Sequence, residues 1–139
     1  MSDPTVVSGK LGEGAVVESF HNYSGSDIAA GVVVKYDGSN DATASALAGI
    51  APTSATTDAP LGVTLEKIRD GADGRVVIGG AMVAATAKGA VTFGQSLMAG
   101  STSGTCSTRT TGKPQLGKCF RTAADGATTL VFVNVVDPS

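Results

Sequence analysis

Leu61-Gly62-Val63-Thr64-Leu65-Glu66-Lys67-Ile68-Arg69-Asp70-Gly71-Ala72-Asp73-Gly74-Arg75-Val76-Val77-Ile78-Gly79 reads as strand, turn, strand, and the chain writes it twice. Shifted by 55 residues, Leu116-Gly117-Lys118-Cys119-Phe120-Arg121-Thr122-Ala123-Ala124-Asp125-Gly126-Ala127-Thr128-Thr129-Leu130-Val131-Phe132-Val133-Asn134 repeats it. Leu61/Leu116, Gly62/Gly117, Asp70/Asp125, Gly71/Gly126, Ala72/Ala127 and Val76/Val131 are identical. Asp-Gly supplies the positive φ of a tight turn and needs no ligand to explain it. The pattern therefore predicts two related β units.

Upstream of each copy the landmarks also recur in order. Asp27–Ser39 resembles Lys88–Ser101, pairing Ile28 with Val91, Gly31 with Gly94 and Val34 with Leu97. Gly14–Phe20 and Val32–Tyr36 read as β-branched strands, separated by turn chemistry at Asn22–Asp27. Ala81–Thr86 reads as a further short strand after the Gly79-Gly80 punctuation. Ser39–Ala59 is Ala/Ser/Thr-rich and reads as a long loop, with a helical turn over Ala42–Ala48 capped by Asp41. Ser101–Thr111 is its shorter counterpart. Two copies are too few for a solenoid. The expectation is one all-β domain over residues 14–139, a small barrel with pseudo-symmetric halves, preceded by an arm at residues 1–13.

The core must be built from small residues, since the 139-residue chain has no Trp, two Tyr and four Phe. Net charge is −2, against the basic excess of a general nucleic-acid binder. Charge is unevenly placed, however. Ten acids and four bases fall in residues 1–73, whereas Arg75, Lys88, Arg109, Lys113, Lys118 and Arg121 occupy 74–124 with no acid. Two readings stand: scattered solvated side chains, or complementary assembly surfaces. No run approaches the roughly 20 apolar residues of a membrane span. Met1-Ser2-Asp3-Pro4 lacks the basic start and apolar stretch of a secretion signal, so the expectation is a soluble protein made in the cytoplasm, with Cys106 and Cys119 as free thiols.

The search for chemistry returns little. His21 is the single histidine and reads as an ordinary turn or surface residue. Asp37-Gly38-Ser39-Asn40-Asp41 opens like a calcium loop, but Ala48 stands where its closing glutamate belongs. Gly112-Lys113-Pro114-Gln115-Leu116-Gly117-Lys118-Cys119 approaches a phosphate-binding loop, yet Cys119 replaces the magnesium-ligating hydroxyl and the pattern enters a strand rather than a helix. The expectation is no enzyme, no cofactor, no metal and no small-molecule substrate.

Val131, Val133 and Val135 face one side of the last strand, with Leu130 and Phe132 on the other. Strands apolar on both sides need cover, from long loops or from a neighbouring subunit. The expected subunit contact uses Val131, Val133 and Val135 with Arg75 and Arg121, the acidic first half of one copy meeting the basic segment of the next.

Ile28-x-x-Gly31-Val32-Val33, Leu61-Gly62-Val63-x-Leu65-Glu66, Asp70-Gly71-Ala72-x-Gly74-x-Val76-x-Ile78, Lys88-Gly89-x-Val91 and Leu116-Gly117-x-x-Phe120 together resemble a family of small tailed-phage capsid proteins, often mislabelled as recombinases. It is similar to the decoration, or cement, proteins of icosahedral heads, and the resemblance spans residues 14–136. It implies a β-tulip-like or small-barrel fold, a homotrimer on the outer head surface, and the major capsid protein as partner, with no catalytic residues. Within that frame Val6, Val7 and Leu11 of the arm become candidate capsid anchors. Two other readings remain: a different virion β-domain, such as a tail tube or fibre base, and a nucleotide-dependent, DNA-binding recombinase-like protein. The broken phosphate loop and acidic charge oppose the last.

Overall fold

The Leu61 and Leu116 stretches fold as the same unit, and the way each closes dictates the rest of the molecule. The computed structural model describes residues 14–43 and 46–136. Nine strands run as β1 (Val16–Asn22), β2 (Val33–Tyr36), β3 (Gly49–Pro52), β4 (Gly62–Thr64), β5 (Asp73–Thr86), β6 (Ser96–Ala99), β7 (Cys106–Thr108), β8 (Gln115–Cys119) and β9 (Thr128–Val136). Their order in the single sheet is β1-β3-β2-β4-β5-β9-β8-β6-β7, and β1 pairs again with β5. The first five strands thus close into a ring. The second half repeats it around the far end of β5, where β7 meets the chain through one parallel bridge, Ala87 to Cys106. The fold is all-β and barrel-like, as expected, built as two fused five-stranded rings that share β5.

Strand register proves the equivalence of the units residue by residue. Ile28 bridges Ile68 in the first unit, and Val91 bridges Ala123 in the second. Gly62 pairs with Val34, and Gly117 pairs with Leu97. Gly71 and Gly126 carry φ of +77° and +81° in matching turns. The aspartates before them do the same task. Asp70 Oδ1 accepts from the Gly25 N–H (3.1 Å) and Asp125 Oδ1 from the Gly89 N–H (2.7 Å), each tying the turn to the loop that follows the unit's first strand.

Two elements differ from the sequence reading. The Ser39–Ala59 stretch contains β3, and Ser101–Thr111 contains β7. Both are too short and too poor in β-branched residues to show a period-2 pattern. Their partners supply the order: Ile50 sits between Asn22 and Tyr36, fully buried. Ala42, Thr43 and Ala46–Ala48, the described part of the expected helical turn, carry no helix. Gly79-Gly80 does not end a strand either, since β5 runs through it with a bulge between Gly79 and Met82 and passes from one unit into the other.

Inside the first ring lie Phe20, Ile28, Val34, Ile50, Leu61, Ile68 and Val76. Their equivalents Ala85, Val91, Leu97, Cys106, Leu116, Ala123 and Val131 fill the second ring. The outer face of the first ring is apolar as well. Val17, Val77, Val63 and Val33 form a cross-strand row in register. Val77, Val63 and Val33 are fully buried, because this row joins the second unit's core in one cluster. Each contributes on the order of 1.5–3 kcal/mol relative to exposure. Backbone bonds lock the contact: Gly104 N–H donates to Thr53 O (2.9 Å) and Val33 N–H to Gly104 O (2.9 Å). The cover that two-sided strands require comes, in the first unit, from the same chain.

The crossing from β3 to β4 is held by Asp58. Its Oδ2 accepts from Ser54 N–H (2.7 Å), Ala55 N–H (3.1 Å) and Lys35 Nζ (3.3 Å). The Ser54 amide, aided by Lys35, holds the carboxyl below its ordinary value against the opposing effect of burial. A lowered folded pKa means stability that is present above the unfolded carboxylate value and lost as pH falls through the lower one. Asp58→Ala is expected to cost about 1–2 kcal/mol at neutral pH. Urea titrations at pH 7 and pH 3 check this: the gap between wild type and variant should shrink at pH 3.

Candidate functional site

His21 is the penultimate residue of β1 and stands in register with Asp73, the first residue of β5. Its Nδ1 lies 2.7 Å from Asp73 Oδ1, and the Tyr23 ring leans on the imidazole with centroids 4.2 Å apart. They line an open cleft of about 500 Å³ with Thr43, Ala46, Leu47 and Gly71. Asp73 is 60% exposed, so the pair is a solvated surface contact of small net strength. At the same register the second unit has Thr86 opposite Thr128. The histidine is a half-buried strand residue rather than a turn residue, with a carboxylate partner that the sequence did not reveal.

The other candidates resolve into structure. Gln115–Cys119 of the apparent phosphate loop is strand β8, and Lys118 Nζ donates to Ser96 Oγ (2.9 Å) on β6. Cys106 and Cys119 are free and buried. Burial, helped by the nearby Cys119, pushes the Cys106 thiol up to about 12, which removes it as a nucleophile near neutrality. No group of three or more potential metal ligands occurs among the described residues. Among the described residues no helix is long and apolar enough to cross a membrane.

The residues expected at a subunit contact do not come together. Val131 and Val133 are fully buried inside the second ring, so they belong to the chain's own core and offer no surface; this corrects the expectation. β9 alternates as expected, with Thr129, Val131 and Val133 buried and Leu130 and Phe132 half-buried on the other side. Val135, further along β9, is 36% exposed. Arg75 is held by Glu66, with Nε 3.2 Å from Oε2, and Arg121 is exposed after β8. Val6, Val7 and Leu11 lie outside the described residues.

The surface that emerges instead is aromatic. In the second unit the row Met82, Phe132, Lys118, Ser96 stands in the same register as Val17, Val77, Val63, Val33 in the first. Phe120, the counterpart of buried Leu65, is 43% exposed, and Phe93 beside it is 65% exposed. Phe93 meets Phe120 edge-on at 5.9 Å, and Phe120 meets Phe132 at 5.9 Å. Three of the four phenylalanines therefore share one outer face. The signal was available in the 55-residue shift, which carries Leu65 to Phe120, Val77 to Phe132 and Val63 to Lys118.

No family model matches the chain, and no curated protein matches it in sequence at a significant level. Among solved structures it is similar to the N base of the head fiber gp8.5 in bacteriophage phi29, with a TM-score of 0.62 over 86% of this chain and 94% of that one. At 16% identity the likeness is one of fold.

Proposed function

We propose that this chain is a structural protein of a tailed-phage particle that sits on the outside of the icosahedral head. It acts as a homotrimer, contacts the major capsid protein and cements neighbouring capsid subunits against the pressure of packaged DNA. The observation that supports this most is the likeness of nearly the whole chain to a phage head-fiber base. The Gly-and-apolar strand landmarks that resemble the decoration proteins point the same way. In this reading the protein performs no catalysis and binds no nucleotide or nucleic acid. The acidic balance and the strand at residues 115–119 agree with that. A fibre base is the second reading, favoured by the same likeness, since the similar structure is the base of a head fiber.

Co-sedimentation separates these from the recombinase-like alternative. Purified protein mixed with heads lacking it should pellet with the heads, saturably, and should stay in the supernatant with double- or single-stranded DNA. Pelleting with DNA at moderate salt and not with heads contradicts the proposal. The arm is tested in the same assay. Deletion of residues 2–12 should abolish head binding and leave the oligomer intact, if Val6, Val7 and Leu11 anchor the capsid.

A further inference from the structure

The two units are equivalent in register, yet opposite ends of the molecule are left unfinished. The first unit's outer row is buried because it joins Ala81, Val83 and Val133 of the second unit in one core. The aromatic face holds the same register positions in the second unit, and there it is open. At the other end, the first unit's equivalents of Ala81, Val83 and Val133 are Val16, Glu18 and Ile78. Glu18 pairs with Val76 as Val83 pairs with Val131. Val16 is 44% exposed, Glu18 is exposed and Ile78 half-buried, whereas Ala81, Val83 and Val133 are buried.

Each copy thus carries a knob, the aromatic row, and a socket, the Val16–Glu18–Ile78 rim, of the kind that already fit together within the chain. We infer that a second copy of this chain occupies the aromatic face, docking its first unit on the second unit of its neighbour as a continuation of the internal repeat. The substitutions at these ends favour that occupant. Inside the chain the cluster includes Val63 and Val83; at the free ends their counterparts are Lys118 and Glu18, opposite charges in place of two valines. Such a pair fixes register and direction. Phe120, Phe132 and Phe93 replace smaller aliphatic residues where an intermolecular contact needs more apolar area to offset the lost freedom of two bodies. The contact is head to tail, so its rotation closes it into a ring or leaves it an open filament. This deepens the homotrimer reading by giving the ring its interface, and replaces the Val131 and Val133 contact excluded above.

Light scattering on the full chain at micromolar concentration and moderate salt tests it. Wild type should be a closed oligomer. Phe120→Asp, Lys118→Glu and Glu18→Lys alter exposed side chains, so each should keep the wild-type circular dichroism and melting. Each should weaken association by about tenfold or more. The double variant Glu18→Lys/Lys118→Glu should restore the oligomer, and dissociation of the single variants without that rescue overturns the pairing. An oligomer indifferent to all three single changes overturns this interface and leaves the homotrimer reading standing. A monomeric wild type overturns both. An oligomer that survives Phe120→Asp but no longer pellets with heads gives the aromatic face to the capsid and also overturns the inference.

Discussion

Gly117→Ala is expected to destabilise the protein by about 3 kcal/mol or more, enough to leave a marginal domain largely unfolded. A Cβ at this position would point into the backbone of β9, far inside van der Waals contact distance of the Phe132 carbonyl oxygen, with Asn134 N beside it. Gly62→Ala should behave alike, because its Cβ would meet the Val77 carbonyl oxygen on β5. Neither obstacle is a flexible side chain that can swing aside. Relief requires β8 to separate from β9, or β4 from β5, and each ring is continuous only while these pairings hold. Gly126→Ala is the control. Its φ of +81° strains an alanine, but nothing lies within reach of the new methyl, so about 1 kcal/mol is expected. Urea unfolding of the three variants measures the difference. Equal costs at positions 117 and 126 would refute the close-approach account.

Asn22→Ala should be the second large effect, about 2–4 kcal/mol. The side chain is fully buried and satisfies every group it carries. Its Nδ2 donates to Ser26 O (2.7 Å) and Ile68 O (3.0 Å), while Oδ1 accepts from Ser24 N–H (2.9 Å) and Ser24 Oγ (2.7 Å). One residue therefore joins the end of β1, the turn after it and the loop between β4 and β5. The second unit has Ala87 at this place and manages without the amide, because its path from Ala87 to the Val91 bridge is two residues shorter than that from Asn22 to Ile28. The longer turn needs an internal tie. Alanine would take the acceptor from the Ser24 amide and one of two donors from the Ile68 carbonyl, which keeps the Ile28 N–H, and the melting temperature should fall by several degrees or more. A change within about one degree would contradict the role assigned to Asn22.

The repeat explains why so much of the fold was legible. Gly62/Gly117 and Gly71/Gly126 mark the close approach and the turn of each hairpin, and both leave the same letters in the sequence whatever packs around them. The short strands β3 and β7 were hidden because Gly49–Pro52 and Cys106–Thr108 take their order from partners far away in the chain. Burial was harder still. Val131 and Phe132 are neighbours with equal claims to the interior, and only closure of the second ring decides that Val131 is inside. Likewise Val63 and Lys118 are equivalent in sequence and in register. Their different fates depend on which outer face the other unit reaches, and periodicity carries no such information. The surface cluster of Phe93, Phe120 and Phe132 is therefore a product of topology, assembled from the loop before β6, the end of β8 and the middle of β9.

Imaging of purified heads with and without this protein tests its assignment to the phage surface most directly. The account predicts added density on the outside of the shell, at repeated positions between capsid subunits, of a size that holds three copies of the two-ring domain. Density confined to the tail, or heads unchanged by saturating protein, would contradict it.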